Sequence, residues 1–444
     1  MKDSKTLQKD VNSEMVQATS RRDFFKKTAI YSAGALSAAS VLSPVSVKAD
    51  EAVIINEMPW GTKLGDPVDK NLYGIPSPYE HNNIRRTHDL FSSGDAYASV
   101  SMCPIHESDG IITPNGLFFT RDHGGTAHVD PNEWRLMIHG KVKKEIVLTL
   151  DDLKKYPSES RIYFIECPAN GSPEWRGPQF NSLQFMKGLM SAAQWTGVML
   201  KTILDDLGLE KDAVWMLAEG SDNASNPRSI PVEKVLDDVM VVWGQNGEAL
   251  RPEQGYPVRL IVPGWEGNLN TKWLRRLEFS DKPWHSKEET SKYTMLQKSG
   301  KAIRYFWVNE VNSVITSPCP EKPWTHLKKG EMVEIEGLAW SGHGTIKGVD
   351  ISFDGGDNWV EARLKGLVLP KSWTRFSYVI KWEGKPLLLA SRSYDDFGNI
   401  QPTIDQETSA VGVESVYHRN AIVTWEITNK GECNNVQIRK HKKA

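Results

Sequence analysis

Between Val349 and Asp354 the chain alternates apolar and polar residues with period two, turns at Gly355-Gly356, and alternates back through Val360, Ala362 and Leu364. Period-two alternation puts one set of side chains on one face of a strand. The segment therefore reads as a β-hairpin with one face that must be covered by a second layer. Short runs of the same kind surround it, at Met332–Leu338, Arg375–Trp382, Leu387–Ser393 and Ala421–Ile427, and no helix is evident among them. Roughly seven strands in about 140 residues predict an all-β immunoglobulin-like sandwich over residues 301–444.

Residues 101–300 have a different texture. Arg161–Glu166 reads as a strand that must turn at Cys167-Pro168-Ala169-Asn170-Gly171. Leu183–Met190 and Val198–Leu207 read as helices, with Gly208 placed to end the second. Tyr256–Val262, closed by Pro263-Gly264, and Trp273–Phe279 read as further strands. This pattern predicts a mixed α+β domain. Residues 50–100 are polar and rich in Pro and Gly, and suit an extended arm over that domain.

Near the start, Ser20-Arg21-Arg22-Asp23-Phe24-Phe25-Lys26 precedes an uncharged, Ala/Ser/Gly-rich stretch from Thr28 to Val47. Pro44 and the small-residue site Val47-Lys48-Ala49 follow. Two arginines ahead of a weakly apolar stretch are the layout of a twin-arginine export signal over residues 1–49. An uncleaved anchor helix is the alternative reading. The twin-arginine route carries folded proteins, which points to a periplasmic protein whose cofactor is inserted before export.

The remaining composition narrows that cofactor. Setting aside residues 1–49, with eight Lys/Arg and four Asp/Glu, leaves a net charge of about −6. No basic stripe speaks for nucleic acid, and no later apolar run approaches the ~20 residues of a membrane span. The four cysteines, Cys103, Cys167, Cys319 and Cys433, are widely spaced, and sequence leaves open whether any pair as disulfides. There is no Cys-x-x-Cys and hence no c-type haem site, and no pattern for an iron–sulfur cluster or structural zinc. A cofactor here is held by dispersed residues, with at most a single thiolate. Cys167, ending an apolar strand and opening a turn, is the candidate, because soft thiolate suits a transition metal. A buried, inert cysteine is the alternative. His123 and His128 could also form a loop metal site.

Four separated stretches carry a likeness. They are LFFTRDHGGTAHVDPNEWRLMIH (117–139), RIYFIECPANGSPEW (161–175), YPVRLIVPGWEGNLNTKWLRRLEF (256–279) and ISFDGGDNWVEARL (351–364). Together they resemble the sulfite oxidase family of molybdenum enzymes, and SRSYDDFGNIQP (391–402) resembles that family's dimerisation domain. The resemblance implies a molybdenum–molybdopterin cofactor, a molybdopterin-binding domain over 101–300 and a homodimer formed through 301–444. It implies that Cys167 ligates molybdenum, that Arg121 faces an oxyanion substrate, and that His123 contacts the pterin. It further implies that Arg259 and Lys272 hold the pterin and its phosphate, with Gly264 and Gly267 giving backbone access, and that Tyr293 is the active-site tyrosine. Asp122 stands where the family has asparagine.

Sulfite oxidases follow the cysteine with Ala-Gly-Asn-Arg-Arg, whereas this chain has Pro168-Ala169-Asn170-Gly171-Ser172. A substrate arginine is missing there, and Arg419 does not align cleanly with a third. This departure resembles one branch of the family, the molybdenum subunits of sulfane dehydrogenase in bacterial thiosulfate oxidation. The resemblance then implies oxidation of sulfane sulfur on a sulfur-carrier protein, with electrons passed to a c-type cytochrome subunit. A sulfite dehydrogenase, and a non-enzymatic periplasmic binding module, are the competing expectations.

Overall fold

The computed structural model describes residues 64, 73–89 and 99–439. The twin-arginine segment and most of the arm expected over 50–100 lie outside those residues. Within the described part of the arm, Arg86 exchanges both backbone hydrogen bonds with Met102, and the Gln184 side chain donates to Ile84 O. The His88 ring packs edge-on against Phe180 and Phe185.

Two five-stranded sheets build the first half. One runs β4 (Ile146–Leu148), β3 (Leu136–Gly140), β12 (Leu274–Ser280), β7 (Trp215–Gly220), β8 (Arg228–Pro231). The other runs β10 (Glu248–Ala249), β9 (Met240–Gln245), β6 (Met190–Met199), β5 (Glu159–Glu166), with β11 (Arg259–Ile261) also on β9. Two ribbons complete the strands of this half: β1 (Ser99–Ser101) with β2 (Thr120–Asp122), and β13 (Met295–Leu296) with β14 (Ala302–Ile303). Strand β5 is exposed at its start and buried from Tyr163 onward, because its Tyr-Phe-Ile run enters the core.

The expected helices are present but shorter. The helix α1 (Leu183–Lys187) stops early because Met190 opens β6, and Val198 and Met199 also belong to β6, so α2 spans Leu200–Leu207. Helix α2 buries Leu200, Ile203, Leu204 and Leu207, the i, i+3, i+4, i+7 stripe of one helical face. Gly208 ends it at φ 73°, where a side chain would be strained. The strand expected over Tyr256–Val262 contracts to β11.

The second half is a two-sheet sandwich. One sheet runs β15 (Asn312–Ser317), β16 (Glu331–Trp340), β20 (Thr374–Trp382), β19 (Arg363–Lys365). The other runs β18 (Val360–Glu361), β17 (Ile346–Ser352), β21 (Leu387–Asp395), β22 (Thr424–Ile427), β23 (Cys433–Val436). Val349 and Ile351 point into the core, while Asp350 on the opposite face pairs with Arg392 at 2.7 Å. The hairpin does not simply return. β18 pairs with β17, but past Ala362 the chain crosses to the other sheet and pairs with β20 as β19. A helix absent from the sequence expectation, α3 (Ile404–Val411), interrupts the sandwich strands, capped by Thr403 with Gln406.

One apolar core runs from Ile165, Met190 and Trp195 of the first half into Val314, Ile335 and Trp340 of the second. The Trp340 indole donates 2.7 Å to Glu166, the last residue of β5. Position 167 is thus braced from the sandwich.

Candidate active site

The β5 strand delivers Cys167 with its backbone still paired, its N–H donating 2.9 Å to Leu189 O. Asn170 locks the following turn. Its amide donates 2.8 Å to the Glu166 carboxylate, and its carbonyl oxygen accepts from Leu189 N at 3.1 Å. A carboxamide has both donor and acceptor, so one buried side chain satisfies both strands at the turn. From the sandwich, His418 N donates 2.9 Å to Pro168 O.

Cys167 opens on a cavity of about 750 Å³, mouth included, whose walls include Arg121, His123, Arg259, Gly267, Lys272 and Tyr293. Segments from five parts of the chain meet there. The structure brings together seven of the eight residues singled out from sequence. The eighth, Gly264, does not line the cavity. Its φ is 75°, and a Cβ there would sit 2.2 Å from Gly342 O of the sandwich. Gly264 serves the close approach of two backbones, not access to a cofactor. Gly267 is the opposite case: a Cβ would lie 3.0 Å from Glu166 O and 3.4 Å from Cys167 Cα, so its loop can press against the cysteine strand. His128 is not among the cavity walls.

Arg259 is buried, its Nη1 donating 3.0 Å to Gln254 O and its Nη2 3.0 Å to Asn270 O. Burial pulls its pKa down from 12.5 to about 9, against the attraction of Asp122. Its Nε and the hydroxyl of the adjacent wall residue Thr271 are both buried without a hydrogen-bond partner among the described residues. Lys272 is depressed by burial too, opposed by the Asp122 carboxylate on which it closes; it also donates 2.9 Å to Glu253 O. Buried cations and idle donors around one hollow are the requirements of a bound anion.

Across the cavity, His123 Nε2 and the Tyr293 hydroxyl lie 2.7 Å apart. Burial first, then Arg121 and Lys292, pull His123 down to about 4, which keeps the imidazole neutral. Burial pushes the Tyr293 phenol up. It also raises the Cys167 thiol to about 11, opposed chiefly by the Ala169 N–H. A thiol in that setting ionises only beside a strong positive charge such as a metal ion. Nine non-glycine residues in the described segments have positive φ, and four of them, Ser225, Asn226, Trp273 and Tyr293, line this cavity. Such conformations cluster where function holds a backbone against its preference.

Gly171 does not open into the cavity; a Cβ there would meet Lys187 Nζ at 3.1 Å and Arg419 Cβ at 3.4 Å. Arg419 is itself buried, ion-paired with Glu407, and stacked over Trp175 at 5.0 Å. All four cysteines are free thiols and buried, so the structure contains no disulfide among them. Sequence reasoning missed the Asp122–Lys272 pair and the wall residues Asp222 and Asn226; the departure from asparagine at 122 was the one available signal.

Residues 123–288 match the model of the oxidoreductase molybdopterin binding domain, and 304–425 that of the Mo-co oxidoreductase dimerisation domain. The crystal structure of the sulfane dehydrogenase SoxCD from Paracoccus pantotrophus superposes with a TM-score of 0.84 at 44% identity. It covers 87% of this chain and 99% of that one. The chain belongs to the sulfite oxidase family. Mitochondrial sulfite oxidase of Rattus norvegicus is 30% identical over 325 residues, 66% of this chain and 58% of the relative. NADH nitrate reductase of Spinacia oleracea is 30% identical over 334 residues, 66% of this chain and 36% of the relative. The chain thus spans under two thirds of the length of these curated relatives. The family's cofactor is molybdenum–molybdopterin, and the cavity fits it: one thiol for the metal, and idle buried donors beside two cations for the pterin and its phosphate. Among the described residues no helix is long and apolar enough to cross a membrane.

Proposed function

We propose that the chain is the molybdenum subunit of a periplasmic sulfane dehydrogenase. In this reading it oxidises sulfane sulfur held on a carrier protein and passes electrons to a c-type cytochrome subunit. The observation that carries the reading is the 44% identity to a sulfane dehydrogenase over 99% of that chain, against 30% to a sulfite oxidase.

When bound, the molybdenum centre supplies oxygen-atom transfer to sulfur coupled to a two-electron oxidation. The chain's residues arrange it. Cys167 holds the metal from the end of β5, while Arg259 and Lys272 hold the anionic pterin arm. Among the described residues, Arg121 is then the one arginine of the cavity wall left to meet substrate. A single guanidinium suits the terminal sulfur of a long arm better than a free dianion, since each missing charge-assisted contact weakens binding by ~1.5–3 kcal/mol. Tyr293 and His123, hydrogen-bonded to each other, are placed to hold or relay a proton at the phenol oxygen.

The deciding assay is cytochrome c reduction by the metal-loaded chain, with sulfane-loaded carrier protein and with free sulfite. Turnover of the carrier supports the reading. Turnover of sulfite at low micromolar KM with the carrier ignored favours the second reading, a sulfite dehydrogenase, which the likeness to sulfite oxidases supports. A chain without stoichiometric molybdenum would point instead to a binding module. The export proposal rests on Arg21-Arg22, and the homodimer on the dimerisation domain over 304–425. Changing both arginines to lysine should hold active protein in the cytoplasm; unimpaired export would refute that route.

A further inference from the structure

Tyr293 is reached from outside the cavity by a residue that nothing above assigns. Arg228, at the start of β8, is completely buried, and its guanidinium carbon lies 5.1 Å from the centre of the Tyr293 ring. The Tyr417 ring packs on Tyr293 as well, at 5.3 Å. A guanidinium this deep ordinarily closes on a carboxylate at hydrogen-bond distance. Here it does not. Its Nη1 stands 3.8 Å from Glu266 and its Nε 3.9 Å from Glu289, and among the described residues the Nε has no hydrogen-bond partner.

Both carboxylates are occupied elsewhere. Glu289 accepts from the Ser229 hydroxyl at 3.2 Å and from Ser286 N at 3.0 Å. Glu266 accepts from the Asn268 amide at 2.8 Å and faces His418 Nε2 at 2.7 Å, out of line for a hydrogen bond. Among the described residues the guanidinium donates to the side chain of Asn268, a cavity-wall residue. The cation is thus neutralised at a distance while its face is left to the aromatic ring. A desolvated cation over an aromatic face is strongly attracted to it. Tyr293 needs such a hold, because its backbone sits at φ 46°, a conformation that side-chain-bearing residues avoid.

We propose that Arg228 is a positioning residue for Tyr293: it pins the ring in its strained conformation and so keeps the phenol hydroxyl against His123 at the cavity wall. This rests on the reading of the cavity as the active site. Arg228 touches neither substrate nor cofactor in this account; it acts through the tyrosine.

The test is a double-mutant cycle on the molybdenum-loaded chain, with cytochrome c reduction by sulfite and by sulfane-loaded carrier as readouts, expressed per molybdenum. Arg228→Met should lower kcat about ten-fold with KM changed less than about two-fold, as expected for a lost contact of this class. Arg228→Lys, keeping the charge on a non-planar head, should recover part of that loss. In a Tyr293→Phe background Arg228→Met should cost less than about two-fold, because the group it positions is already gone. A crystal structure of the variant without cofactor should show the Tyr293 hydroxyl displaced from His123. If the methionine variant does not accumulate, Arg228→Lys carries the same cycle and the same structure. An equal loss in both backgrounds, or an unmoved Tyr293, overturns the positioning role alone. A Tyr293→Phe chain with wild-type turnover overturns both that role and the assignment of Tyr293 to the active site.

Discussion

Replacing Arg259 by methionine separates a cofactor-holding arginine from one that merely packs. In the chain without cofactor, Arg259 carries an unfavourable term: burial lowers its pKa from 12.5 to about 9. At ~1.4 kcal/mol per pH unit, keeping that buried group charged costs roughly 5 kcal/mol. Against this stand its hydrogen bonds to Gln254 O, Gln254 Oε1 and Asn270 O at 3.0, 3.3 and 3.0 Å. Bonds from a charged donor contribute ~1.5–3 kcal/mol each, and the longest of these contributes least. The two sides nearly cancel. The cofactor-free variant should therefore unfold within ~2 kcal/mol of wild type, methionine filling most of the volume. Cofactor retention has no such compensation, and loss of one charge-assisted contact to an anion should weaken it by ~1.5–3 kcal/mol, or about ten- to a hundred-fold. The measurements are urea unfolding of chain produced without molybdenum cofactor, and molybdenum and pterin per chain after dialysis of the loaded form. A variant that loses much more than 3 kcal/mol when empty, yet keeps its full molybdenum, would show that Arg259 is a structural residue.

Two further substitutions test the neighbourhood. Cys167→Ser should keep most of the pterin, still held by Arg259 and Lys272, while turnover nearly vanishes and X-ray absorption shows one fewer sulfur around the metal; near-wild-type activity would return Cys167 to packing. Gly264→Ala should cost roughly 2–4 kcal/mol in thermal or urea unfolding, because its Cβ would overlap Gly342 O in a left-handed conformation; a neutral substitution there would refute the close backbone contact.

The sequence made the second half legible as strands because its alternation is strict at Val349–Asp354, where one face is core and the other solvent. It could not show that the returning strand changes sheets at Ala362, since period two continues across the switch and only pairing partners reveal it. Helix α3 was missed although Thr403 and Gln406 carry the spacing of a capping box. Only Ile404 and Glu407 of that helix are buried, so no apolar stripe accompanied the cap. Leu183–Met190 failed at its end for the converse reason: a continuous apolar run is the same whether the next turn is helical or extended. At the site, Cys167 stood out from its seat at the end of an apolar strand, while Arg121, His123, Arg259, Lys272, Gly267 and Tyr293 were assigned through motif resemblance, and the fold places all seven on one cavity. The ionic supports were invisible because Arg228, Glu266, Glu289 and His418 come from segments up to 190 residues apart, and a charge declares itself buried only once its neighbours are known.

The contacts that brace the Cys167 turn set an order of events in the life of the chain. Trp340 must be in place to hold Glu166, and His418 to hold Pro168, before that turn is fixed. Both residues belong to the second half, so the cysteine's seat cannot be completed until that half has been made and folded. A metal centre held by Cys167 would then be seated only after the sandwich has closed on that turn. By the same geometry, the first half expressed alone would present the thiol on an unsupported strand end.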